Sequence, residues 1–287
     1  MWNEAIKTGG VAVITGGASG VGLAMARQCA MRGLSVVLAD TSDREMTKAA
    51  RTLSGLGTDI QTVKTDVCDA RAVQKLADIA FETGPVAVLM NNAGIARPTK
   101  SWDNPDNWRR MLEVNLFGVL YGVQAFLPRM IEADRPAVVI NTGSKQGITT
   151  PPGNPGYNVS KAGLKVMTEM LAHELLAAKA PMSAHLFVPG FTYTGMISSW
   201  LPEKPDAAWT SDETVSYLVE RLDRGDFYIL CPDNEVTSEI DCKRVAWAAQ
   251  DIIENRPALS RWHPDFAERF AAFEKTVPNV EKSEVFN

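Results

Sequence analysis

Short apolar segments rich in β-branched residues recur along the chain: VAVIT at 11–15, SVVLA at 35–39, DIQTV at 59–63, VAVLM at 86–90, AVVIN at 137–141, SAHLFV at 183–188 and FYILC at 227–231. Each is too short for a helix and reads as a buried strand. Helical spacing fills the intervals, as in Leu23, Ala26, Arg27 and Ala30, and again over 69–83, 105–132 and 156–179. Alternating strands and helices require a mostly parallel sheet covered on both faces. Right-handed crossovers then give a doubly wound, Rossmann-like α/β fold of seven strands. No repeat or linker interrupts the 287 residues, so a single domain over 1–287 is expected.

Two regions depart from that rhythm. Residues 191–212, FTYTGMISSWLPEKPDAAWTSD, are too long and irregular for an ordinary connection and are expected to form a substrate lid. Beyond Cys231 the chain continues for 56 residues, with helical pattern in DCKRVAWAAQDIIE and then the proline-punctuated RPALSRWHPDF. This helical extension, 232–287, is expected to wrap the sheet; covering the pocket and joining a subunit interface are the other readings.

Charge and composition exclude several functions. Lys and Arg number 29 against 34 Asp and Glu, a net charge of -5 with no basic cluster. Nothing there attracts nucleic acid or an anionic membrane. No window approaches the roughly 18 uninterrupted apolar residues of a membrane helix. The amino end lacks the basic and apolar regions of a signal peptide. The four cysteines and three histidines are scattered without metal-ligand spacing, so no metal site is expected and the thiols read as reduced. A soluble, cytoplasmic protein is the expectation.

The first strand runs directly into TGGASGVG, Thr15 to Gly22, and then a helix. In that context backbone N–H groups at a helix amino end can hold a diphosphate. Gly16 permits the tight turn, Gly20 lets the backbone approach the phosphates, and Gly22 lets helix and strand pack closely. Ser19 and Val21 lie in the same loop. Asp40 closes the second strand, 18 residues past Gly22. A carboxylate there accepts from both hydroxyls of an adenosine ribose and repels a 2′-phosphate. NAD is therefore favoured over NADP, although Arg44 lies close enough in sequence to complicate that preference.

TGGASGVG, the NNAG at 91–94 and Tyr157-Asn-Val-Ser-Lys161 together resemble the short-chain dehydrogenase/reductase family in its compact single-domain branch. The match covers roughly residues 8–195 and fits more loosely through 227–231. The resemblance implies that Asp66 and Val67 hold the adenine, and that Asn92, Ala93 and Gly94 line the adenosine ribose. It assigns a catalytic tetrad to Asn115, Ser144, Tyr157 and Lys161. Pro189 and Gly190 would meet the nicotinamide, with Thr192 near its carboxamide and Thr194 nearby. It also implies a homodimer or homotetramer packed through the helices that carry Asn115 and Tyr157. Gly118, Gly122, Ala162 and Gly163 would suit close helix approach there, or packing within the chain.

The chemistry follows from the side chains. Removing a hydride from a secondary alcohol requires removing its hydroxyl proton as well. A free tyrosine, with a pKa of about 10, is a poor base at neutral pH. Lys161, four residues on, sets an ammonium on the same helix face as the phenol, and the oxidised nicotinamide adds a second positive charge. Ser144 would hold the substrate oxygen, Lys161 would also bind the nicotinamide ribose, and Asn115 would hold a water leading to solvent. The expected activity is an NAD-dependent interconversion of a secondary alcohol and a ketone. An NADPH ketone reductase and a non-catalytic NAD-binding regulator are the alternatives.

Phe191, Tyr193, Met196, Trp200, Leu201 and Trp209 make the expected lid aromatic and apolar, suiting a medium-sized hydrophobic or aromatic small molecule, although its tryptophans could equally pack against the carboxyl extension. Lys145, directly after Ser144, either faces solvent, the preferred reading, or attracts an anionic substrate group.

Overall fold

The computed structural model describes residues 1–198 and 201–276. Its first half runs α1 (Trp2–Lys7), β1 (Val11–Thr15), α2 (Gly20–Met31), β2 (Ser35–Asp40), α3 (Asp43–Leu53), β3 (Ile60–Lys64), α4 (Ala70–Thr83) and β4 (Val86–Asn91). Next come α5 (Pro105–Leu112), α6 (Gly118–Glu132), β5 (Ala137–Thr142), α7 (Gln146–Thr149), α8 (Pro155–Ala177) and β6 (Met182–Val188). The remainder is α9 (Gly195–Ser198), α10 (Ser211–Asp223), β7 (Tyr228–Leu230), α11 (Ser238–Ile253) and α12 (Ala267–Lys275).

The seven strands form one sheet in the order β3-β2-β1-β4-β5-β6-β7, with every pairing parallel. The strands β1, β2 and β4 are buried on both faces, which is why their sequences read as continuous apolar runs rather than alternating ones. On one face Trp2, Met25, Leu53 and Leu218 from α1, α2, α3 and α10 pack against Ile14, Leu38 and Met90. On the other, Leu76, Phe126 and Leu171 from α4, α6 and α8 pack against Val13, Val37 and Val139. Strand order reverses between β1 and β4, and in such sheets ligands lie beyond the carboxyl ends of the strands at that reversal.

The helical run 105–132 is continuous, joined through a π-helical turn at Glu113–Phe117. It is long and apolar enough by length and composition to cross a membrane, with a mean hydropathy of 1.3 in its best window. Averaging over its few polar residues is what admits it, although no uninterrupted apolar run exists. Half of that window is buried inside the molecule, where α6 packs on α4 and β4.

Candidate active site

The carboxyl ends of the strands open into a cleft of about 770 Å³. At its centre the glycine loop leaves β1 and turns into α2. Gly16 and Gly20 both have left-handed backbones, at φ +63° and +55°, so a side chain at either would be strained. A Cβ on Gly16 would stand 3.0 Å from the Ala93 Cα, and one on Gly22 would stand 2.3 Å from the Gly16 carbonyl oxygen. Gly22 therefore does the packing expected of it and does not line the cleft, whereas Gly16, Ser19, Gly20 and Val21 do. Thr15 ties the loop to the NNAG turn, its hydroxyl accepting from the Asn92 and Ala93 N–H groups at 2.9 and 3.1 Å. The Asn92 amide donates back to the Thr15 carbonyl at 3.1 Å. Asn92, Ala93 and Gly94 all line the cleft.

Asp40 also lines it. One carboxylate oxygen accepts the Thr41 N–H at 2.8 Å, and the other accepts the Ala18 N–H of the glycine loop at 3.3 Å. Arg44 is 81% exposed and pairs loosely with Glu45 at 3.8 Å. Asp66 and Val67 reach the same end of the cleft, joined by Arg110, which the sequence did not flag. Partial burial pushes the Asp66 carboxyl up, but the Cys68 N–H and the Arg110 guanidinium, 3.1 Å away, hold it below its ordinary range.

Three of the four residues expected to be catalytic, Ser144, Tyr157 and Lys161, line the same cleft. Ser144 follows β5, and its hydroxyl accepts the Gln146 N–H at 3.2 Å. Tyr157 lies in the first turn of α8, which starts at Asn154 as N-cap. Thr99 fixes that start by donating to Asn154 Oδ1 at 2.7 Å and accepting the Gly156 N–H at 3.0 Å. Gly147 allows α7 to touch α8, since a Cβ there would stand 2.5 Å from the Lys161 carbonyl carbon. That approach brings Ser144 within hydrogen-bonding reach of the Tyr157 phenol.

Lys161 is buried one turn further along α8, and its Nζ donates to the Thr142 carbonyl at 2.7 Å. Burial pulls its pKa down to about 8. The Tyr157 phenol, by contrast, is pushed above its ordinary value by burial, with the Ser144 hydrogen bond opposing. Desolvation dominates at the phenol, and the lysine nitrogen stands 5.9 Å from the ring centre, turned to Thr142.

Asn115 sits in the π-helical turn, fully buried. Its side chain is engaged, accepting from the Ile95 N–H at 2.8 Å and donating to the Ile95 carbonyl at 2.9 Å and to the Ser160 hydroxyl at 3.1 Å. Unlike Ser144, Tyr157 and Lys161, it does not line the cleft; its amide holds the 94–95 floor instead.

Pro189 and Gly190 follow β6, and with Thr192 and Thr194 they complete the cleft wall. The Thr192 hydroxyl is 3.0 Å from that of Thr214, and Thr194 packs over Gly20. The lid differs from expectation. Trp209 turns away from the cleft, donates its indole N–H to Asn234 at 2.9 Å, and packs edge-on against Tyr217. The Tyr193 hydroxyl donates to the Leu201 carbonyl, and Trp200 lies outside the described residues. Among the described lid residues, the apolar side chains that line the cleft are Phe191, Met196 and Ile197.

The C-terminal extension takes up the reading that covers the pocket: Asp233, Val236 and Arg244 line the cleft, and α11 packs on α7. Lys145 faces neither bulk solvent nor a free anion site: its ammonium is paired with Asp241 at 2.6 Å and with Asp233 at 3.6 Å. Only the tertiary fold brings these charges together, and no local pattern announces them.

The donor set fits a nicotinamide dinucleotide. A left-handed glycine turn opens a helix at the strand-order reversal, a carboxylate stands at the end of β2, and a serine, tyrosine and lysine meet at the far end.

Comparison with known proteins agrees with this geometry. The family model for short chain dehydrogenase matches residues 10–205. A "CLA biosynthesis dehydrogenase/reductase" from Lactiplantibacillus plantarum is 31% identical over 209 residues, covering 72% of this chain and 72% of that protein. An "NADP-dependent (R)-specific alcohol dehydrogenase" from Lentilactobacillus kefiri is 32% identical over 191 residues, 66% of this chain and 75% of that one. Among solved structures, a short chain dehydrogenase/reductase from Burkholderia phymatum in complex with NAD superposes with a TM-score of 0.78 at 30% identity, covering 86% of this chain and 95% of that one.

Proposed function

This chain belongs to the short-chain dehydrogenase/reductase family of oxidoreductases, and from that premise we propose that it interconverts a secondary alcohol and a ketone with NAD. The observation that carries the reading is the meeting of Ser144, Tyr157 and Lys161 at one end of the dinucleotide cleft.

Bound there, the nicotinamide supplies the hydride acceptor or donor. Ser144 holds the substrate oxygen, and Tyr157 exchanges the hydroxyl proton with it. Lys161, already directed to the Thr142 carbonyl, binds the nicotinamide ribose and keeps positive charge beside the phenol. Asn115 acts behind them, fixing the 94–95 floor through Ile95. Since the ligand-free phenol is raised, alcohol oxidation should speed up as pH rises, while ketone reduction uses the protonated tyrosine without that demand.

Asp40 supports NAD, because it lines the cleft and Arg44 does not. The substrate pocket beside Ser144 mixes Ile95, Phe191 and Ile197 with Lys145, Asp233 and Arg244, which suits a medium-sized substrate carrying a polar group. A homo-oligomer is part of this reading. Val159, Val166 and Met170 leave an exposed apolar stripe on α8, and a second copy would cover it. The glycines of α6 do not serve that contact, since Gly118 closes on Val67 and Gly122 on Asn91.

An NADPH-dependent ketone reductase is the second reading, favoured by the NADP-dependent relative. Assaying aromatic, alicyclic and polar-substituted alcohols and ketones with each cofactor separates the two. Turnover with NAD on alcohols is expected. A strong preference for NADP overturns the Asp40 argument, and dinucleotide binding without turnover on the whole panel favours a regulatory role.

A further inference from the structure

The C-terminal segment meets the catalytic loop at one buried ion cluster. Lys145 immediately follows Ser144, and its Nζ lies 2.6 Å from Asp241 and 3.6 Å from Asp233. The lysine side chain is 21% exposed and the two aspartates 6% and 7%, so the cluster is shielded from water. Asp233 has further work. Its Oδ2 accepts the Phe191 N–H at 3.2 Å, while Oδ1 accepts the Val236 N–H at 2.7 Å. Phe191 directly follows the Pro189-Gly190 turn, and Gly190 itself presses on the extension, a Cβ there standing 2.4 Å from the Pro232 carbonyl oxygen.

Asp241 lies in the first turn of α11, where the helix dipole favours a carboxylate. Arg244, three residues on, faces the cleft and pairs with Glu274 at 3.2 Å, which leaves Lys145 as the direct cationic partner of Asp241. One ammonium thus joins three chain segments that are distant in sequence: the serine loop, the strand exit at 189–191, and α11. A shielded charge of this kind cannot be released to water one partner at a time without leaving an unpaired ion behind. Among the described residues, none of these contacts reaches the glycine loop, Asp40 or Asp66.

We propose that Lys145 is a positioning residue, clamped by Asp233 and Asp241 so that Ser144 and the Phe191 backbone are set against the nicotinamide end of the cleft. The C-terminal segment is then a working part of the site. This rests on the reading above, that the cleft holds a nicotinamide dinucleotide with its nicotinamide near Ser144. A clamp confined to that end touches nicotinamide binding and leaves adenosine binding alone, which general structural support would not do.

The test titrates NADH and ADP-ribose, which lacks the nicotinamide, into the full-length protein and its Lys145→Met, Asp241→Asn and Lys145→Arg variants, following tryptophan fluorescence. Lys145→Met and Asp241→Asn are expected to weaken NADH about tenfold, a usual size for coupling between sites, and ADP-ribose by less than about twofold. Lys145→Arg keeps the charge and should stay near the parent. Unchanged NADH affinity in a folded Lys145→Met or Asp241→Asn protein overturns the clamp, and so does an equal loss of both ligands. Asp241→Asn preserves volume and gives the answer if Lys145→Met does not fold. Amide exchange in the ligand-free proteins gives a second readout, with faster exchange expected at Phe191 and Gly147 and none at β4. Exchange unchanged at both amides contradicts the clamp even if the parent binds neither ligand, a result that would count against the dinucleotide reading instead.

Discussion

The adenosine side of the cleft is assembled mainly from backbone, whereas the substrate side is assembled from side chains that meet across long stretches of chain. On the first side, a left-handed glycine turn, the Thr15 link to the NNAG turn and the end of β2 are each fixed by residues within a few positions of a strand end. On the second, Lys145 meets Asp233 and Asp241, Trp209 meets Asn234, and Gly190 meets Pro232. Local sequence specifies a turn, because the turn's dihedrals allow few residue types. It does not specify a pairing between residues almost a hundred positions apart. A common cofactor site and an individual substrate site can therefore coexist on one sheet.

The largest expected effect lies where the two halves join. Tyr157→Phe should cut turnover by roughly 10³-fold, within the usual contribution of general acid–base catalysis, while NADH affinity stays within a few-fold. Steady-state rates beside a binding titration decide it, and retained turnover removes the proposed base.

Asp40 tests the backbone-built half. Asp40→Asn removes the charge that opposes a 2′-phosphate, so the NAD-to-NADP preference in kcat/KM should move toward NADP by on the order of 10²-fold. An unchanged ratio would mean that Asp40 serves only the Thr41 and Ala18 amides it already accepts.

Lys161 sharpens the contrast between folding and function. Its folded pKa, about 8, lies below the unfolded 10.5. The unfolded chain therefore binds more protons between those values, and stability rises with pH across that window. Near pH 7 the buried charge costs about 3 kcal/mol, against roughly 1 kcal/mol regained from its Thr142 hydrogen bond. Lys161→Met should thus stabilise the ligand-free protein by about 2 kcal/mol at pH 7 while abolishing turnover, with the gap closing toward pH 10. Denaturant unfolding of both proteins at several pH values measures it. A less stable variant at pH 7 would show that the lysine supports the fold.

Trp209 gives the smallest effect. Trp209→Phe loses the Asn234 hydrogen bond and should cost about 1 kcal/mol in thermal unfolding, leaving KM for any substrate unchanged because the indole does not line the cleft. A raised KM would return Trp209 to the substrate wall.

Much of the architecture was legible in the sequence. All seven apolar runs became strands; β1, β2 and β4 are buried on both faces as expected, whereas β3 and β7, at the sheet edges, are not the buried strands their sequences suggested. The residues expected to hold the cofactor, Gly22 apart, line one cleft, since motifs at strand ends travel with the strands. The substrate end was less legible. Burial raises the Tyr157 phenol, opposing the acidifying charges of Lys161 and an oxidised nicotinamide on which the sequence reading rested. In the π-helical turn the Asn115 side-chain amide is taken up by Ile95 and Ser160, a pairing that no local pattern announces. For Trp209 and the C-terminal extension the alternatives left open are the ones found: the indole packs against the extension, and Asp233, Val236 and Arg244 form cleft wall. Nothing in the spacing of these residues distinguishes the two outcomes, because each depends on where α11 docks.

The most direct test of the hydride-transfer account is a crystal structure with NAD bound. The account predicts the adenosine at Asp40 and Asp66, and the nicotinamide C4 open to a space within roughly 3.5 Å of which a carbon held by Ser144 and Tyr157 can sit. A nicotinamide ring seated away from the Tyr157 hydroxyl, or a dinucleotide bound in the reverse sense, would contradict it.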